Sequence, residues 1–179
     1  NYFDFPLLEY KSAFKSRKLD VLLLTKDVDN PWDYGVAEIE EDKIVRITEK
    51  PQTMLSNKAV TGIYFFSSSI IKAASRIKPS IRGEYEITDA VQYMIDKGYK
   101  VSFEEIDGNW VDAGKVKEVL QCNKFILSKM DNRYHIDSDA KLINTTVGDY
   151  SSIGKRCIIK DCSIYNSIVM DDCILNGVE

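Results

Sequence analysis

Val21-Leu22-Leu23-Leu24 is four consecutive aliphatic residues bounded by Asp20 and Thr25. Successive strand residues point to opposite faces, so an all-apolar strand needs cover on both sides. A sheet covered on both faces is the mark of an α/β arrangement. Helical patterns stand on either side of the run. Upstream, Asp4 is placed to cap a helix with Pro6 in its first turn and Leu7, Leu8 and Phe14 on its buried face. Downstream, Val36–Glu40 and Ile44–Thr48 alternate around Glu41-Asp42-Lys43, which predicts a hairpin. Val60–Phe66 and Val101–Ile106 read as further strands. Ser67-Ser68-Ser69 supplies caps for a helix carrying Ile70, Ile71, Ala74 and Ile77. Ile87, Val91, Met94 and Ile95 recur at helical spacing, with Gly98 where that helix should stop. Val116, Val119, Leu120, Ile126, Leu127 and Met130 form the apolar stripe of a last, longer helix.

Beyond that helix the period changes. Ile136, Leu142, Val147, Ile153, Ile159, Ile164, Val169 and Ile174 recur every five or six residues. Neither the helical nor the strand period fits. A hexapeptide period fits a left-handed parallel β-helix, with one aliphatic residue per face pointing inward and Ser152, Cys157 and Cys162 stacked beside it. Such a run is first a stability pattern, because stacked repeats have no other core. An acyltransferase or regulatory site between coils is the other reading. Two regions follow, residues 1–132 and residues 133–179, the second short and without an evident cap, so the chain reads as truncated at both ends.

Composition narrows the classes. The 179 residues are 44% hydrophobic and 29% charged, with net charge −4. No basic stripe follows a phosphate backbone, which argues against nucleic acid as a partner. No apolar run reaches membrane-span length and no secretory pattern opens the chain, so a cytoplasmic protein without a membrane partner is expected. The four cysteines are spaced too widely for a zinc ribbon and read as free thiols. One histidine, His135, excludes multi-histidine metal sites and makes histidine-driven nucleophilic catalysis a poor fit.

Four clusters can carry chemistry. Glu49-Lys50-Pro51 ends a strand with an acid, a base and a rigid turn: Lys50 offers a point charge to a phosphate and Glu49 can accept two hydroxyls. It equally reads as a solvated strand end stopped by proline. In Trp110-Val111-Asp112-Ala113-Gly114-Lys115, strand alternation puts Trp110 and Asp112 on one side, and Gly114 allows a sharp exit. Asp112 is a candidate ligand for a hard metal ion or an N-cap for the next helix. In Arg82-Gly83-Glu84-Tyr85-Glu86-Ile87-Thr88-Asp89, Gly83 permits a turn that aims the Arg82 fork at a phosphoryl group. Glu86, Thr88 and Asp89 also suit a plain polar helix start. Asp33-Tyr34-Gly35-Val36 places a glycine at the start of a strand, where a ligand could approach the backbone.

In order, these clusters with Ala59-Val60-Thr61-Gly62-Ile63-Tyr64 resemble the sugar nucleotidyltransferase family, in its long-form glucose-1-phosphate thymidylyltransferase branch. The resemblance implies a partial Rossmann-like α/β domain with a mixed sheet, followed by the start of a left-handed β-helix. It implies nucleotidyl transfer, in which the sugar phosphate oxygen attacks the α-phosphorus of a nucleoside triphosphate and pyrophosphate leaves. By resemblance Gly35 offers its backbone to the sugar, Glu49 holds hydroxyls, and Val60, Tyr64 and Trp110 line or support the pocket. Lys50 and Arg82 bind the sugar phosphate, and Asp112 is a ligand of Mg2+. Ala113 and Lys115 depart from the residues usual in relatives. The family's glycine-rich, arginine-bearing triphosphate loop is not found in this chain, and Asn1-Tyr2-Phe3-Asp4 resembles the continuation of its Gly-Asp-Asn segment. The expectation is a sugar-side half-site, inactive alone, in a homo-oligomer formed through the β-helix. The expected substrates are dTTP and glucose 1-phosphate. The alternatives are UTP with glucose 1-phosphate or N-acetylglucosamine 1-phosphate, or a non-catalytic β-helix scaffold.

Overall fold

The computed structural model describes residues 1–178; Glu179, the last residue of the repeat region, lies outside the described residues. Contacts divide the chain into two compact units, Phe3–Trp110 and the remainder, Asn1–Tyr2 with the chain from Val111 onward. In order, the elements up to the division are β1 (Tyr2–Phe3), α1 (Leu7–Ser16), β2 (Val21–Asp27), β3 (Gly35–Glu40), β4 (Lys43–Glu49), β5 (Lys58–Phe66), α2 (Ser69–Ala74), α3 (Ile87–Asp96), β6 (Val101–Glu105) and β7 (Trp110–Val111).

A five-stranded sheet, ordered β4-β3-β5-β2-β6, organises the Phe3–Trp110 unit. It is mixed: β2 runs parallel to β6 and antiparallel to β5. The aliphatic run sits in the sheet as its composition requires, with all four residues fully buried. Leu22 and Leu24 face a core with Phe5, Ile106 and Trp110, flanked by Leu7 and Phe14 of α1. Val21 and Leu23 face the other core, with Val60, Val91 and Met94. The β3–β4 hairpin forms as expected, with Glu41 and Asp42 at positive φ, the backbone that a two-residue turn demands. Gly98, at φ 74°, ends α3.

Some expectations fail at the level of single residues. Asp4 does not cap α1; its carboxylate accepts the Asn109 amide at 2.7 Å and the Asn109 side chain at 2.8 Å. Leu8 is 74% exposed rather than buried. No serine side chain caps α2 through its N-cap position, Ile71 is exposed, and Ile77 lies past the helix. β5 carries an irregularity opposite Leu23 and Thr25, with Gly62 exposed at φ 74°; a bulge there bends a strand inside the sheet.

The second unit contains α4 (Val116–Leu127) and short strands β8 (His135–Ile136), β9 (Lys141–Ile143), β10 (Thr146–Val147), β11 (Ser152–Ile153), β12 (Ile158–Lys160), β13 (Ser163–Ile164), β14 (Ile168–Val169) and β15 (Ile174–Asn176). The predicted stripe of α4 is largely outward: Val116, Val119, Ile126 and Met130 are exposed, while Cys122 and Leu127 are buried. Glu118 caps the helix by accepting the Lys115 amide. The short strands build three small parallel sheets, β8-β11-β14, β9-β12-β15 and β10-β13. Ile153, Cys157, Ile159, Cys162 and Ile164 form their buried core, joined by Ile136, Leu142, Val147, Val169 and Leu175. Two details correct the hexapeptide reading. Ile159 stands opposite Leu175, so Leu175 faces inward and Ile174 is 75% exposed. Ser151, not Ser152, is the buried serine, its hydroxyl donating to the Ile164 carbonyl. Positive φ recurs at stacked turns, at Arg133, Tyr150 and Asn166 and again at Asn144, Asp161 and Gly177. All four cysteines are free. Among the described residues no helix is long and apolar enough to cross a membrane.

Candidate functional site

Strand β4 is an edge of the sheet, and its last residues reach a cleft of about 820 Å³. Glu49 and Lys50 line it from the strand end, Ser80, Arg82 and Glu86 from the segment leading into α3, and Gln92 from α3 itself. Trp32 forms part of its wall and is half exposed. The two motifs separated by some thirty residues in sequence, Glu-Lys-Pro and Arg-Gly-Glu, therefore meet at one cleft.

The backbone explains how. Lys50 adopts φ 42°, unusual for a residue with a side chain, and its amide donates to the Tyr34 carbonyl at 2.9 Å. This turns the chain sharply out of the sheet at Pro51. Gly83, at φ 77°, makes the second turn, its amide donating to the Ser80 carbonyl. The Arg82 guanidinium then lies 2.5 Å from Glu84, 3.7 Å from Glu86 and 3.9 Å from Glu49. Ser80 donates its hydroxyl to Glu86 at 3.0 Å.

Glu49 is held from two sides. Thr88 donates its hydroxyl to Glu49 Oε2 at 3.2 Å. Gly35 stands opposite Glu49 in the β3–β4 ladder, and a Cβ there would come within 2.8 Å of Thr88 Cγ2 and 3.0 Å of Glu49 Oε2. The close approach that Gly35 permits in this structure is thus by Glu49 and Thr88. Gly35→Ala is expected to destabilise the protein by about 1–3 kcal/mol through overpacking, read as a lower denaturation midpoint, and to displace Glu49.

Burial pushes the Glu49 carboxyl above its usual range; the Thr88 hydrogen bond opposes this, Glu86 adds to it, and Lys50 and Arg82 oppose it. Burial, then Glu86, likewise raises Asp89. The native protein therefore holds a proton on Glu49 to higher pH than the unfolded chain does. That contribution to stability is complete below the ordinary carboxylate pKa and lost as pH rises through the elevated native one. Glu49→Gln removes the Glu49 share of the dependence and leaves that of Asp89. The variant should gain on the wild type between acid and neutral pH, in thermal midpoints measured across that range.

The remaining expected site residues are placed apart from the cleft lining. Val60 is buried in the core with Leu23. Tyr64 stacks on Phe66 at 5.3 Å, and its phenol is raised by burial and then by the Glu49 charge. Trp110 is buried, packs on Tyr34 at 5.3 Å, and donates its indole N–H to the Thr61 carbonyl at 3.0 Å, bracing β5 beside its bulge. Asp112 belongs to the second unit; β7 ends at Val111, so Asp112 lies just past the strand and is exposed. Among the described residues no three His, Cys, Asp or Glu side chains converge on a metal position. A single exposed carboxylate still fits magnesium, which takes one or two carboxylates and fills its shell with water and substrate phosphates.

Thr88 and Gln92 are the residues whose part in the site the motifs do not reveal. Gln92 lies one helical turn beyond Thr88 and accepts the Ile47 amide at 2.8 Å. A second cleft, about 650 Å³, is lined by Glu38, Glu40, Asp42, Lys58 and Glu105. Its lysine is already paired with Asp27 at 2.9 Å and Glu105 at 2.7 Å, so it is poorly suited to an anion.

The comparisons with known proteins agree with one another. The family described as Nucleotidyl transferase matches residues 2–129. A glucose-1-phosphate thymidylyltransferase from Streptomyces griseus is 30% identical over 92% of this chain and 56% of its own length. A protein named Bifunctional protein GlmU from Methanocaldococcus jannaschii is 36% identical over 64% of this chain and 28% of its own. A solved structure described as a glucose-1-phosphate thymidylyltransferase from Bacillus anthracis, in complex with a sucrose, aligns with a TM-score of 0.62 at 36% identity, over 69% of this chain and 50% of that one. The chain spans about half the length of the thymidylyltransferases it matches.

Proposed function

Because the chain belongs to the nucleotidyl transferase family, we propose that the cleft at Glu49, Lys50 and Arg82 is the sugar-phosphate side of a nucleotidyl-transfer site. The observation that carries this reading is the convergence of these three side chains on one cleft. The substrate is glucose 1-phosphate, and the nucleotide is a thymidine triphosphate. Lys50 supplies a point charge and Arg82 a planar fork to the phosphate, and Glu49 accepts sugar hydroxyls. In the free protein Arg82 is shared among carboxylates, so the incoming phosphate takes over positions now facing Glu84. Gly35 keeps space for Glu49, while Val60, Tyr64 and Trp110 shape the sheet behind it. Holding the phosphate in place and neutralising its charge are what such a transfer asks of the protein. Asp112 is the residue on this chain that would hold magnesium, whose chemistry is to neutralise charge on the phosphate oxygens.

No glycine-rich, arginine-bearing triphosphate loop occurs in these 179 residues. This chain by itself is therefore expected to bind sugar phosphate without releasing pyrophosphate. The three small parallel sheets, with their stacked positive-φ turns, support a left-handed β-helix starting near residue 133, through which copies associate. The second reading is uridylyl transfer to glucose 1-phosphate or N-acetylglucosamine 1-phosphate; a match to a protein named as a bifunctional sugar-1-phosphate nucleotidylyltransferase/acetyltransferase supports an added acyl-transfer activity. Calorimetry with glucose 1-phosphate, N-acetylglucosamine 1-phosphate, glucose and inorganic phosphate tests the proposal. It expects saturable binding of a sugar phosphate and little binding of glucose. Equal binding of glucose and glucose 1-phosphate would sink the phosphate roles of Lys50 and Arg82.

A further inference from the structure

Glu49 is the strand-end carboxylate of a cleft that Glu86 and Asp89 also line. Among the described residues, the side-chain hydroxyl bonded to it comes from α3. Thr88 is fully buried in the first turn of that helix and donates to Glu49 Oε2 at 3.2 Å. Its methyl group occupies the space that Gly35 leaves open, with only 2.8 Å to where a Cβ would stand. Gln92, on the next turn, takes the Ile47 amide at 2.8 Å. The helix is thus fastened to the edge strand at Ile47 and Glu49. With Oε2 occupied by Thr88, Oε1 remains on the side of Arg82, 3.9 Å from its guanidinium.

We infer that Thr88 is a positioning residue whose hydroxyl holds the Glu49 carboxylate turned into the cleft, leaving Oε1 to accept a hydroxyl of the sugar phosphate. This rests on the sugar-phosphate reading of the cleft. The groups around Glu49 make the hydroxyl consequential. Glu86 at the start of α3 opposes its negative charge, and the Tyr64 phenol of β5 couples to it, while Lys50 and Arg82 favour it. Asp89 lies on the same helix and lines the same cleft. Among the influences favouring the carboxylate, the Thr88 hydrogen bond is the largest.

The test has a ligand-free arm and a ligand arm. In the first, the Glu49 side-chain carboxyl is titrated by carbon-detected NMR in the wild type, Thr88→Val and Thr88→Ser. Valine keeps the shape and removes the donor; serine keeps the donor and removes the methyl. The midpoint should rise in Thr88→Val and stay near the wild type in Thr88→Ser. In the second arm, affinity for glucose 1-phosphate at neutral pH should fall about tenfold in Thr88→Val and be largely retained in Thr88→Ser. Thr88→Ala gives the same comparison if valine is not accommodated. An unmoved midpoint in the variants lacking the hydroxyl overturns the inference, as does a moved midpoint with unchanged affinity. If wild-type protein binds no sugar phosphate, the reading of the cleft fails, and the positioning of a sugar falls with it. The ligand-free titration still shows whether the Thr88–Glu49 bond exists, so the two failures are told apart.

Discussion

Arg82→Gln is expected to weaken glucose 1-phosphate binding about tenfold to a hundredfold, the usual consequence of losing a charge-assisted pair of hydrogen bonds to a phosphate. Arg82 belongs to no buried core of the protein, so its replacement removes no core packing. It is exposed at the cleft rim, and its partners Glu49, Glu84 and Glu86 are carboxylates of the same cleft region. Its removal leaves the Glu49 carboxylate with less opposing positive charge. Arg82→Lys separates charge from shape. A lysine keeps the positive charge but not the planar fork, so it should recover only part of the affinity. Calorimetry on the three proteins reads both effects. Full recovery by lysine would show that charge alone matters; an unchanged affinity in Arg82→Gln would remove Arg82 from the site.

Leu23→Ala is expected to cost about 2–5 kcal/mol, the range for truncating a large aliphatic side chain in a closed core. That is a large share of the ~5–15 kcal/mol that stabilises a typical domain. Leu23 is fully buried against α3, with Val91 and Met94 in the same core, and its strand lies between β5 and β6. Little can collapse to fill the space. Leu8→Ala, at an exposed position of α1, should change stability very little. Both tryptophans, Trp32 and Trp110, lie in the Phe3–Trp110 unit, so denaturant unfolding followed by their fluorescence reports on the unit that contains Leu23. The remaining unit need not unfold with it, which makes the tryptophan signal preferable to a global one.

These cases also show what the sequence could convey. The aliphatic run was legible because burial on both faces leaves no polar residue to interrupt it. The hairpin was legible because Glu41 and Asp42 are flanked by clean alternation. Gly98 marked the end of α3 because left-handed backbone favours glycine. Failures cluster where a distant partner decides. Asp4 looks like a helix cap, but Asn109 outcompetes the helix for its carboxylate. Leu8 belongs to a helix of only ten residues, too short for periodicity to settle which side faces the core.

The repeats fail differently. Ile174 and Leu175 are both aliphatic, as are Ile158 and Ile159, so composition cannot say which member of each pair turns inward. The pairing of β12 with β9 and β15 decides it, placing Leu142, Ile159 and Leu175 in one column. For the site, Glu49, Lys50 and Arg82 stood out as charged residues beside turn formers. Thr88 did not. A threonine in the first turn of a helix is ordinary, and its significance comes from Glu49, 39 positions earlier. The exposed stripe of α4 belongs to the same class, since helical spacing shows that an apolar face exists but not what lies against it.

On the proposed reading, a sugar phosphate binds where β4 meets the start of α3. Titration of isotope-labelled protein with glucose 1-phosphate, followed by backbone amide NMR, reads that binding residue by residue. The expected result is saturable, concerted movement of the Glu49, Lys50, Arg82 and Thr88 signals, with Lys58 and Glu105 of the other cleft unmoved. Movement centred on Lys58 and Glu105, or no movement at millimolar ligand, would contradict it.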